Sequence, residues 1–141
     1  MGIFIVAEIG INHNGDIELC KKLIDLAKET GCNAVKFQKR DIDKVYTKEF
    51  LQTFRESPWG KTQKDQKLGL EFSFEEYQII NEYCKKISID WYFSAWDLNS
   101  QILMRKFNCK YNKIASAMLI DKPFLEEVAS EKKHTFISTG M

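Results

Sequence analysis

Apolar residues along the chain alternate between two rhythms. Short unbroken apolar runs at 3–9, 33–38, 90–94, 111–115 and 135–138 have the length and β-branched or aromatic content of buried strands. Between them, apolar positions recur every three or four residues. Ile17, Cys20, Leu23, Ile24 and Ala27 mark a helix over 16–30, and Gly31 is well placed to end it. Ser73-Phe-Glu-Glu76 has the form of a capping box opening a helix to about residue 87. Further helices are expected near 99–107 and over 122–131, with Pro123 tolerated in a first turn. Strands alternating with helices argue for a parallel α/β fold. No Gly-x-Gly-x-x-Gly follows the first strand, so a dinucleotide-binding fold has little support.

Residues 39–71 break the rhythm. This polar stretch contains the turn sequence Ser57-Pro-Trp-Gly60 and the charge run 61–67, which reads as a solvated face. A connection of this length is expected to be functional, a lid or binding loop with some helix of its own.

Each apolar run ends in polar, chargeable residues. The endings are Glu8-Ile-Gly-Ile-Asn12-His13, Lys36-Phe-Gln38, Ser94-Ala-Trp-Asp97, Lys113-Ile-Ala-Ser116 and Ser138-Thr-Gly. Parallel α/β barrels gather their chemistry at the carboxyl ends of their strands, so these endings mark one candidate site. Glu8 sits late in an apolar strand, where a buried carboxylate needs a cation, a ligand hydroxyl or a metal. Lys36 and Gln38 share one strand face. A lysine among Ala34, Val35 and Phe37 is suited to an anionic substrate, or else reaches solvent at the strand end. Lys113 with Ser116 and Ser138 forms a plausible phosphate cradle. His13 is more readily a hydrogen-bonding loop residue than a metal ligand. His134 falls at the wrong end of its strand for the site, and Trp59 and Trp96 are candidates to wall a pocket or fill the core.

Composition narrows the partners. A formal net charge of +1 gives no electrostatic reason to expect nucleic acid or an anionic membrane. No apolar run approaches the ~20 residues of a membrane span, and the N-terminus lacks the features of a signal peptide. Four cysteines without a CxxC pair are expected to be reduced and structural, as in a cytoplasmic protein.

Ala7-Glu-Ile-Gly-Ile-Asn-His-Asn-Gly15, Ala34-Val-Lys-Phe-Gln38, Ser57-Pro-Trp-Gly60, Leu70-Glu-Phe-Ser73, Tyr111-Asn-Lys-Ile-Ala-Ser116 and Ile137-Ser-Thr-Gly-Met141 together resemble the N-acetylneuraminate (sialic acid) synthase family. The resemblance runs through essentially the whole chain. It implies a (β/α)8 barrel of the TIM type, of which 1–141 supplies the first five strands. In the family a small antifreeze-like domain follows the barrel, and the full-length proteins are domain-swapped homodimers. The implied reaction condenses phosphoenolpyruvate with an N-acetylated hexose, N-acetylmannosamine or a relative, giving a nonulosonic acid and phosphate. By position, Glu8 is the acid near the reacting carbons, and Lys36 and Gln38 bind substrate. Ser94, which ends the third strand, is expected to bind substrate beside them. Lys113 and Ser116 bind phosphoenolpyruvate, and Ser138 adds a phosphate-side hydroxyl. A divalent metal, Mn2+ or Mg2+, is implied as cofactor, with its histidine ligands on later strands beyond Met141.

Two departures stand out. Many members carry Ser-Thr-Pro where this chain has Ser94-Ala-Trp96, and Lys-Ile-Gly-Ser-Gly plus an acid where it has Lys113-Ile-Ala-Ser-Ala-Met118. The missing acid points toward a subfamily for a related nonulosonic acid such as legionaminic or pseudaminic acid. The alternatives are a non-catalytic fragment of such a synthase and a different phosphate-binding barrel, such as an aldolase.

Overall fold

The computed structural model describes residues 2–140. Five parallel strands form one sheet: β1 (Val6–Gly10), β2 (Ala34–Lys39), β5 (Asp90–Ala95), β6 (Tyr111–Ile114) and β7 (His134–Ile137), in the order β1-β2-β5-β6-β7. Each strand lies beside its predecessor in this series. The sheet therefore steps in one direction, as in a barrel wall, instead of reversing as in a doubly wound fold. Helices α1 (Ile17–Glu29), α5 (Phe74–Ile87), α6 (Leu98–Met104) and α7 (Lys122–Ser130) make the crossovers.

The helix starts follow the sequence closely. Asp16 caps α1, Ser73 and Glu76 form the capping box of α5, and Asp121 caps α7 with Pro123 in its first turn. Gly31, at φ +86°, takes the left-handed conformation just past α1. The third helix is shorter than its periodicity predicts. It ends at Met104, and a 3-10 turn carries the chain from Arg105 to Phe107.

Side chains alternate across the sheet. Val35, Phe37, Trp91 and Phe93 face the helices and pack with Tyr77, Ile24 and Ile80 in the main core. Tyr92, Tyr111 and Phe136 point to the inner face, with Tyr92 and Phe136 stacked at 5.7 Å between ring centroids. The first strand is not fully buried as its composition predicts. Strand pairing starts at Val6, and Ile3 is 86% exposed, because β1 is a sheet edge with a neighbour on one side only.

The stretch after β2 is an ordered insertion, not a loop. It holds α2 (Ile42–Val45), α3 (Lys48–Gln52), an antiparallel hairpin of β3 (Phe54–Ser57) and β4 (Gly60–Thr62), and α4 (Gln63–Gly69). The charge run is not a plain solvated face. Thr62 and Asp65 form a capping box, Lys64 pairs with Asp43, and the Lys67 ammonium lies 4.7 Å from the centre of the Tyr46 ring.

Candidate functional site

Strand register alone brings the inner-face polar residues into one tier. Glu8 lies opposite Lys36, Gln38 opposite Ser94, and Ser94 opposite Lys113. The Lys36 ammonium pairs with the Glu8 carboxylate at 2.5 Å and donates to the Ser94 hydroxyl at 3.2 Å. Lys113 donates to the Ser138 hydroxyl at 2.6 Å and to the Ile114 carbonyl at 2.7 Å.

Burial divides these charges unevenly. The Lys36 side chain is 9% exposed, and that of Glu8 is 52% exposed. In this five-stranded sheet Glu8 stands on the edge strand β1, which leaves its side chain half-exposed. Its need for a cation is met by Lys36. Desolvation, helped by the nearby Lys36 charge, holds the Lys113 ammonium below the usual lysine range. Beneath the tier, burial first and the Glu8 charge second push the Tyr92 phenol up to about 12.

The remaining predicted residues sit around this pair of lysines. Gln38 lies on the same face as Lys36, and its Nε2 comes within 3.5 Å of where a Cβ on Gly10 would stand. Ser116 is exposed in a 3-10 turn just past β6, and its side chain makes no hydrogen bond among the described residues. It faces Gly140, whose added Cβ would reach the Ser116 Cβ at 3.6 Å. The cradle at Lys113 is thus closed by Ser138, with Ser116 nearby and unengaged.

His13 is a core residue. Its ring stacks on Phe72 at 3.9 Å between centroids, and its Nδ1 accepts from the Gly15 amide. Burial lowers its pKa to about 4, against the opposing pull of a backbone hydrogen bond to Gly10, so the ring is neutral near pH 7. His134 begins β7 at the amino end of the sheet, away from the tier. Trp96 borders an open cleft of about 720 Å³ with Tyr46, Asp97 and Met118, and its buried Nε1 has no hydrogen-bond partner among the described residues. Trp59 lies against Gly69.

The divalent metal implied by the resemblance finds no donor set here. Among the described residues no three His, Cys, Asp or Glu side chains gather at metal-binding distance. His13 uses Nδ1 on the loop backbone, and Glu8 is paired with Lys36.

A buried cluster that sequence patterns did not reveal adjoins the site. Glu71 accepts from the Arg40 guanidinium and amide and from Lys39, and Arg40 also reaches the Tyr46 hydroxyl. Asp97, read only as part of a strand ending, caps α6 and accepts from the Asp41 amide at 2.8 Å. Nothing in local periodicity signals the Glu71 contacts with Lys39 and Arg40 or the Asp41–Asp97 contact, which join residues 31 or more positions apart.

The chain is 38% identical to the N-acetylneuraminate-9-phosphate synthase of Drosophila melanogaster, over 99% of its own length and 38% of that protein. It is 35% identical to the N,N'-diacetyllegionaminic acid synthase of Legionella pneumophila, over 100% of its length and 40% of that protein. Among solved structures, the sialic acid synthetase of Leptospira borgpetersenii superposes with a TM-score of 0.83 at 24% identity, covering the whole chain and 46% of that one. At this identity the likeness speaks for the barrel-type fold. The chain spans about two fifths of the length of the curated relatives named. These relatives are synthases of sialic and related nonulosonic acids, and the NeuB family pattern matches residues 23–141. With the match running through four of the five sheet strands, the chain belongs to the NeuB family.

Proposed function

We propose that the inner-face tier is the phosphoenolpyruvate side of a nonulosonate synthase. The observation that carries this reading is the pairing of two ammonium groups, Lys36 and Lys113, with the hydroxyls of Ser94 and Ser138 on adjoining strands. One half-exposed carboxylate, Glu8, faces them. Phosphoenolpyruvate carries a phosphate and a carboxylate on a three-carbon frame, and two separated cations with hydroxyl donors suit both ends.

In this reading Lys113, Ser138 and Ser116 hold the phosphate, while Lys36 and Gln38 orient the rest of the substrate. Carbon 3 of phosphoenolpyruvate forms a bond to the aldehyde carbon of an N-acetylated hexose, and the aldehyde oxygen takes up a proton. Water adds at carbon 2, the bond from carbon 2 to the phosphate oxygen breaks, and phosphate leaves with the proton balance restored by an acid–base group. Glu8 is the candidate for that group, because it stands at the rim within reach of both solvent and Lys36. No step is assigned to a metal, since the described residues gather no donor set for one.

The test is phosphate release from phosphoenolpyruvate in buffer containing Mn2+. The acceptors are N-acetylmannosamine, its 6-phosphate and a 2,4-diacetamido hexose. The reading expects release that depends on an acceptor; its absence with every acceptor overturns activity in this chain. The depressed pKa of Lys113 favours a second reading, an aldolase with Lys113 as Schiff-base amine. Borohydride trapping of a keto substrate on Lys113 would decide for it.

A further inference from the structure

The insertion between β2 and α5 holds the loop that follows β1, by three contacts in series. The Trp59 ring, carried on the β3–β4 hairpin, lies flat on Gly69 so closely that a Cβ there would collide with the indole. The Gly69 carbonyl in turn presses on Gly15, where a Cβ would collide with that oxygen and where φ is +68°. Phe72, three residues on, stacks on His13. The loop is itself a run of tight turns, with the Asn12 amide donating to the Ile9 carbonyl and the Asp16 amide to the His13 carbonyl. Gly10, the last residue of β1, leads into it with φ +56°, and a Cβ added there would stand 3.0 Å from a Glu8 carboxylate oxygen.

From these contacts we infer that the insertion is a fixed brace for the site and not a lid over it. Trp59, Gly69 and Gly15 are positioning residues that act through the His13 loop to set where Glu8 stands. The side-chain contacts of the insertion agree with a fixed role. Its two ends are tied by the buried Arg40–Glu71 pair, and Lys67 lies over both Tyr46 and Phe50. The brace itself rests on contacts alone; its bearing on catalysis rests on the synthase reading of Glu8.

Hydrogen exchange on the unsubstituted chain is the first test. A brace requires the amide of Gln63, which donates across the base of the hairpin to the Thr53 carbonyl, and the loop amides of Asn12 and Asp16 to exchange at protection factors within about tenfold of one another. Near-unprotected hairpin amides beside a protected loop would mean a lid and overturn the inference. The second test is Trp59→Ala beside Trp59→Phe, followed by NMR titration of His13 with His134 as internal reference. The alanine variant, folded by circular dichroism, is expected to bring the His13 pKa up from about 4 toward the ordinary 6.5, and the phenylalanine variant to restore it. A His13 titration unmoved in folded Trp59→Ala overturns the brace. In the phosphate-release assay, Trp59→Ala should lower kcat at least tenfold and leave KM for phosphoenolpyruvate within twofold, because Lys113 on β6 and Ser138 just past β7 stand at the other end of the sheet order from β1. A matching loss in KM overturns the positioning role. No release from the unsubstituted chain would count against the functional reading alone, and the exchange and titration results still decide the brace.

Discussion

Two carboxylates in this protein, Glu71 and Glu8, each face lysine or arginine, and they do so under opposite conditions. Glu71 has an 8% exposed side chain, and both of its oxygens accept from Lys39 or Arg40. Glu8 is 52% exposed, and one ion pair, to Lys36, engages it. The Glu71 cluster closes on itself and fastens the insertion to the end of β2. The Glu8 tier stays open at the rim, with Lys113 beside it bonded to a single hydroxyl and a carbonyl. A saturated buried pair is an anchor, because removing either partner strands a charge. An open tier with surplus cations can exchange its internal contacts for those of an anionic ligand.

The comparison breaks most directly at the two glutamates. Glu71→Ala should cost about 3–5 kcal/mol of stability, by the loss expected when one partner of a buried pair is removed. Glu8→Ala should cost clearly less than Glu71→Ala, because Glu8 itself is solvated and the cost comes only from leaving the Lys36 ammonium without its carboxylate. Urea midpoints of the two variants measure the contrast, and equal losses would erase the distinction.

Acid sharpens it next. The folded-state pKa of His13, about 4, lies below the ordinary 6.5, so the unfolded chain binds the extra proton first. Stability from this group is fully present above about pH 6.5 and is lost as pH falls toward 4. The loss amounts to about 3 kcal/mol over that window, at 1.36 kcal/mol per unit. Unfolding at a series of pH values should show this slope, and His13→Phe should flatten it.

Lys113→Met should leave stability within about 1 kcal/mol and weaken phosphoenolpyruvate binding by roughly 10- to 100-fold, the worth of one charged hydrogen bond. Calorimetric titration distinguishes this from an unchanged affinity, which would remove Lys113 from the cradle. The smallest effect concerns thiols. Cys20 and Cys109 are buried and pushed up to about 12, and Cys84 is raised further. Iodoacetamide on the folded chain should therefore label the half-buried Cys32 alone.

Much of this was legible along the chain. The capping box at Ser73, with Asp16, Gly31 and Pro123, located the main helices, because these devices act within a few residues of the backbone groups they serve. The endings at Lys36, Ser94, Lys113 and Ser138 were legible because a parallel sheet delivers every strand end to one side. The insertion was not, since its short helices and three- to four-residue strands carry too few turns to show a period. Ser116 reads as the equal of Ser138 in sequence, yet only Ser138 meets Lys113.

By itself, then, the sequence determined which segments become strands and helices, the parallel order they can take, and which polar residues stand at the carboxyl ends. Those choices are made by propensity, periodicity and capping, all short in range. Tertiary structure alone decided that Glu8 stands at an open rim, that Lys36 reaches Ser94 across 58 positions, and that Trp59 bears on Gly15 through Gly69. Such contacts depend on register between distant strands and on the fit of one surface to another, and no local pattern encodes either.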